Sequence, residues 1–102
     1  MIRNGTTCKV LNMPRYFIQN RDIAYRVVDG EAVLVDPDNA YVRVLNETGS
    51  FIWKLCRRKR GIDDLAREIS GKFDVKRTDA KTDVSKFLSD MKKRGMIREI
   101  RA

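Results

Sequence analysis

The sequence has no histidine, and its two cysteines, Cys8 and Cys56, lie in different kinds of segment with no metal-type spacing. A zinc site or a histidine-based nucleophile relay therefore has no raw material. Cys56 falls in an apolar helical stretch, where it is expected to be a small buried hydrophobe. No apolar run approaches the roughly 20 residues that span a bilayer. The opening "MIRNGTTCKVLNMPRYF" also lacks the apolar stretch of a signal peptide, so retention in the cytoplasm is expected. The adjacent carboxylates Asp63-Asp64 sit in the first turn of a helix, where the dipole accounts for them, and no base–nucleophile pair stands out. Neither an enzyme nor a cofactor is expected. At 102 residues the chain is one domain with a single modest core.

What is abundant is positive charge. Lys and Arg number 22 against 14 Asp and Glu, a net charge of +8, and four of the cations form the run "RRKR" at Arg57 to Arg60. Such an excess suits an anionic partner, whether nucleic acid, an acidic peptide or a membrane surface, because many cations on a small body raise the local potential. A solvated turn accounts for the same run.

Residues 1–20 show no sustained period and carry only the apolar clusters "KVLNM" and "RYFIQ". They are expected to form an arm, partly ordered or engaged in self-association, ahead of a domain at 21–102. From Ile23, "IAYRVV" alternates as a strand. Asp29-Gly30 signals a tight hairpin, and "EAVLVD" follows as a more continuously apolar strand. After Pro37-Asp38-Asn39, "AYVRVL" makes a third strand with Tyr41, Arg43 and Leu45 on one face and Val42 and Val44 on the other. Two short connections in series imply an antiparallel meander whose third strand is an edge.

The remainder is helical. Asn46 caps a first, mostly buried helix running to about Arg57, and Gly49 within it costs roughly 1 kcal/mol of propensity, which points to a close approach there. Gly61 opens a second helix with the stripe Ile62, Leu65, Ala66 and Ile69, ended by Gly71 and Phe73-Asp74-Val75. Thr78 or Asp79 caps a third, with core stripe Ala80, Val84, Phe87, Leu88 and Met91 and a stop at Gly95. "MIREI" suits a short last strand. The expected class is α+β: a three-stranded antiparallel meander followed by a three-helix bundle, resembling a winged helix-turn-helix.

Set on these elements, "LNETGSFIWKL" at Leu45 to Leu55 resembles the "LN-x-TG-x-x-IW-x-L" signature of the PqqD-like family, the pyrroloquinoline quinone synthesis protein D group of peptide-recognition domains. "DGEAVLVDP" before it, and "IDDLAREISGKFDV" and "DVSKFLSDMKKRGMI" after it, extend the likeness over about residues 23–97. The turn after the first helix departs from the family's "DGxRT" pattern, reading "RRKRGI" here. The resemblance implies a RiPP recognition element: a module that binds the leader segment of a ribosomally made precursor peptide and presents it to a modifying enzyme, often a radical S-adenosylmethionine protein. It also implies that the leader adds as a strand along the third strand and lies against the third helix.

That implication meets the edge already read from the loop lengths, since strand addition needs unpaired N–H and C=O groups. The expected peptide-binding residues are Ala40, Tyr41, Val42, Arg43, Val44 and Leu45, with one flank of the third helix: Lys81, Ser85, Leu88 and Lys92. The opposite flank is Asp83, Phe87, Asp90 and Arg94. The alternative function is a winged-helix nucleic-acid-binding protein, favoured by net charge and by the arrangement of the second and third helices, and opposed by the aspartates along the third helix. Self-association is a further expectation, with Val10-Leu11 or Tyr16-Phe17-Ile18 lying on the third strand of a second copy.

Overall fold

The computed structural model describes residues 15–36 and 40–101. Its elements run β1 (Arg15–Gln19), β2 (Ala24–Val28), β3 (Glu31–Asp36), β4 (Tyr41–Val44), α1 (Glu47–Leu55), α2 (Ile62–Phe73), α3 (Arg77–Lys93) and β5 (Ile97–Arg101). The expected meander is present as an antiparallel sheet in the order β2-β3-β4. Its first connection is the two-residue turn Asp29-Gly30, with φ of 52° and 83°, the positive values that match a tight hairpin to strand twist. Pro37, Asp38 and Asn39 lie outside the described residues.

The fold begins earlier than residue 21. Arg15–Gln19 pairs antiparallel with β5 in a second, two-stranded sheet, and Phe17 is buried in the core. The other edge of β1 is closed by the turn after α1: Phe17 N–H donates to Arg60 C=O at 2.8 Å, Arg60 N–H to Phe17 C=O at 2.9 Å, and Gln19 N–H to Cys56 C=O at 2.8 Å. Tyr16-Phe17-Ile18 is thus built into this chain's own sheet, while Val10-Leu11 lies outside the described residues.

Asn46 caps α1 as expected, its side-chain oxygen accepting from Gly49 N–H at 2.8 Å. The helix stops at Leu55, two residues short of Arg57. α2 runs through Gly71 to Phe73 and closes at Asp74, within the expected Phe73-Asp74-Val75 end, in the left-handed conformation. Nor do Thr78 and Asp79 cap α3; the helix starts at Arg77 with Lys76 at the cap position and no side-chain cap bond. Gly95, at φ 74°, stops it.

The core joins both sheets to the three helices. Trp53, Ile52, Leu65, Ile69, Val84, Leu88 and Met91 are buried with Phe17, Leu34 and Ile97. Trp53 packs edge-to-face on Tyr25, ring centroids 5.4 Å apart, and its indole N–H has no hydrogen-bond partner among the described residues. Burial pushes the Cys56 thiol up to about 12, so this cysteine is an inert hydrophobe. Ser50 links sheet to helix: its buried hydroxyl accepts from Ala32 N–H at 2.7 Å and donates to Leu45 C=O at 3.1 Å. Among the described residues no helix is long and apolar enough to cross a membrane.

Candidate functional site

The register of the meander decides which backbone groups are free. Leu45 N–H donates to Ala32 C=O, and the pairs Leu34↔Arg43 and Asp36↔Tyr41 follow at two-residue steps. In an antiparallel ladder hydrogen-bonded and non-bonded pairs alternate, so Tyr41, Arg43 and Leu45 aim their amides at β3. Val42 and Val44, opposite Val35 and Val33, aim theirs away from it. Among the described residues no strand pairs with the outer edge of β4, which therefore presents the N–H and C=O of those two valines, a row of two donors and two acceptors.

The side chains alternate with the same period. Tyr41 and Arg43 are half-buried on the helical side, Leu45 is buried, and Val42 and Val44 are 60% and 59% exposed on the outer face. Tyr41 and Arg43 reach α3. Arg43 Nη1 stands 2.7 Å from Asp90 Oδ2, and Arg94 Nη1 donates to the Tyr41 hydroxyl at 3.0 Å with its guanidinium 5.6 Å from the ring centroid. Arg94 Nε also holds Asp90 Oδ1 at 3.1 Å. Partial burial pushes the Asp90 carboxyl up, but hydrogen bonds from Arg94 and Arg43 outweigh it and hold it below the usual carboxylate range. Phe87 completes this wall beside Gly49, where an added Cβ would lie 3.0 Å from the ring. Two shallow hollows follow the flank, about 380 Å³ by Ser85, Lys86, Ser89, Asp90 and Lys93, and about 330 Å³ by Asp36, Tyr41, Lys93 and Arg94.

The flank of α3 beside β4 is thus Phe87, Asp90 and Arg94, not Lys81, Ser85, Leu88 and Lys92. Leu88 is in the core. Lys81 pairs with Asp63 of α2 at 3.1 Å, and Lys92 with Glu99 of β5 at 2.9 Å, both away from β4. Ser85, half-buried, lines the outer hollow. Ala40 lies before β4 in a turn, exposed, at φ 49°. Charge complementarity was the available signal: Arg43 on the strand has a partner in Asp90 on one flank and none on the other.

A larger hollow, about 730 Å³, lies elsewhere, lined by residues including Gly30, Glu31, Phe51 and Lys72. An added strand needs an open edge rather than a cavity, and β4 offers such an edge.

The family model of coenzyme PQQ synthesis protein D matches residues 31–97, well over half of the chain. The chain belongs to the PqqD family. No curated protein matches it significantly. Among solved structures, this PqqD-family chain resembles a lasso peptide synthetase B1 complexed with the leader peptide, at 26% identity and a TM-score of 0.72, covering 80% of this chain and 96% of that one. It also resembles TbiB1 in complex with the TbiA(beta) leader peptide, at 20% identity and a TM-score of 0.73, with 79% and 94% covered. A third likeness is to the PqqD truncation of Methylobacterium extorquens PqqCD, a stand-alone RiPP recognition element, at 14% identity and a TM-score of 0.68, with 81% and 88% covered. At 20% and 14% identity the last two bear on the fold.

Proposed function

We propose that this PqqD-family protein is a non-catalytic adaptor that captures the leader segment of a ribosomally made precursor peptide by strand addition to β4. It then presents the peptide to a modifying enzyme in the cytoplasm, a radical S-adenosylmethionine protein being the partner the family suggests. The observation that carries this reading is the free edge at Val42 and Val44 lying beside the Phe87–Asp90–Arg94 flank of α3. A leader strand would bond to the two valines while its inward side chains met that flank. Support comes also from the likeness to a lasso peptide synthetase B1 solved with its leader.

The nucleic-acid reading draws on the net charge and on the arrangement of α2 and α3. Asp79 and Asp83 are exposed on α3 beside its lysines and would meet phosphate repulsion in a groove. Amide hydrogen exchange with and without a precursor leader peptide tests the proposal. Val42 and Val44 amides should become protected, with shifts at Phe87, Asp90 and Arg94; unchanged exchange at both valines would refute it. Of the segments expected to mediate self-association, Val10-Leu11 remains, and loss of a dimer on deleting residues 1–14 would identify it as the contact.

A further inference from the structure

The leader reading does not use the basic turn, and the turn is not a loosely held loop. Its ends are fastened to β1 by the three backbone bonds at Cys56 and Arg60, and the Gln19 side-chain amide donates to Trp53 C=O at 2.7 Å just before it. Arg60 is tied to Asp64 at 2.9 Å and Lys59 sits over the Tyr16 ring at 5.1 Å. Arg57 and Arg58 are exposed and have no ion-pair partner among the described residues, unlike Arg43, Arg94 and Lys92 around α3. Lys54, Leu55, Arg57, Arg58 and Arg60 line a cleft of about 330 Å³ with no carboxylate in its wall. A fastened backbone thus holds several cations around one hollow, so the backbone ordering that a loose loop would lose on binding is already met.

We propose that this cleft is a second docking site, for an acidic polypeptide segment of the protein that receives the leader; only the identity of the bearer rests on the leader reading. α1, nine residues and about 13 Å long, runs from just after β4 to the cleft, so the two sites lie at its opposite ends. Nucleic acid is the less suited polyanion, because no aromatic side chain lines the cleft for a base to stack on.

The test uses a labelled polyglutamate peptide and the full chain, followed by fluorescence anisotropy and amide shifts at low salt. Shifts should centre on residues 54–60, and Arg57→Glu with Arg58→Glu should weaken binding about tenfold or more. Both side chains lack partners, and Arg57→Gln with Arg58→Gln serves if charge reversal disturbs the fold. Shifts spread evenly over all exposed lysines and arginines would overturn the proposal, as would unchanged affinity in either double variant. Tighter binding of a DNA duplex at the same amides would overturn the polypeptide occupant. Leader-induced protection at Val42 and Val44 is read separately, so a failure of this site and a failure of the β4 site are distinguishable.

Discussion

Proline replacements along β4 separate the two sides of its backbone. Val44 N–H points away from β3, so Val44→Pro removes no sheet bond. Edge strands tolerate proline on that side, and Arg43 before it is already extended, as a pre-proline residue must be. The fold should hold, at a cost of about 1 kcal/mol from the constrained φ. An added strand loses the bond from the Val44 N–H, and the pyrrolidine ring pushes it out of line with the Val44 C=O, its second bond there. With about 0.5–1.5 kcal/mol for each bond and two bonds affected, leader binding should weaken by about 1–3 kcal/mol, a rise in Kd of roughly 5- to 150-fold. Arg43→Pro is the opposite case, because its N–H faces Leu34 within the ladder, and leaving the Leu34 C=O unpaired should destabilise the fold by about 1–3 kcal/mol. Fluorescence anisotropy with a leader peptide and thermal denaturation read the two effects. A folded Val44→Pro protein that binds leader as tightly as the parent would refute the strand-addition geometry.

Three further outcomes follow from the packing. Ser50→Ala strands the buried Ala32 N–H and Leu45 C=O, and should cost about 2–4 kcal/mol in urea denaturation at about 1–3 kcal/mol for each unsatisfied group, less some relaxation. Gly49→Ala gains about 1 kcal/mol of helix propensity but drives its Cβ to 3.0 Å from Phe87 and 3.2 Å from the Asn46 cap oxygen, a crowding worth about 1–3 kcal/mol. A net loss with a shifted Phe87 ring signal is expected, and a raised Tm would contradict the packing. Glu99, 5% exposed at its side chain, is held by Arg15, Lys92 and Arg101, and hydrogen bonds from Arg15 and then Lys92 lower its carboxyl to about 2 from 4.5. Its folded value lies below its unfolded one, so its contribution is full above pH 4.5 and is lost as pH falls towards 2. Because the three cations are half-exposed, about 1 kcal/mol is expected, read as a stability gap between parent and Glu99→Gln that closes over that range.

Much of this architecture was legible locally. The period-2 runs, the Asp29-Gly30 turn, the Asn46 cap and the Gly95 stop are decided within a few residues of chain, by alternation, positive φ and side-chain competition for backbone groups. The edge status of β4 also followed, because loop length alone orders a meander. β1 was hidden, since five residues without a hairpin neighbour carry no local sign of pairing with a strand at the other end of the chain. Helix boundaries moved by a residue or two for a similar reason: the end of α1 is drawn in by bonds to β1, which no window around Leu55 contains.

By itself the sequence determined the class of every helix and of the three meander strands, the core stripe of α3, the edge at Tyr41 to Val44 and the family, all properties of short-range pattern. Only the tertiary structure decided which flank of α3 stands beside that edge, because a helix's rotation is set by what it packs against and both flanks of the stripe are amphipathic. It also decided that the amides of Val42 and Val44, rather than all those of the strand, are the open ones, since that choice belongs to the register with β3. Finally, it turned a run of four cations into a fastened, carboxylate-free cleft, through backbone bonds to a strand some 40 residues earlier in the chain.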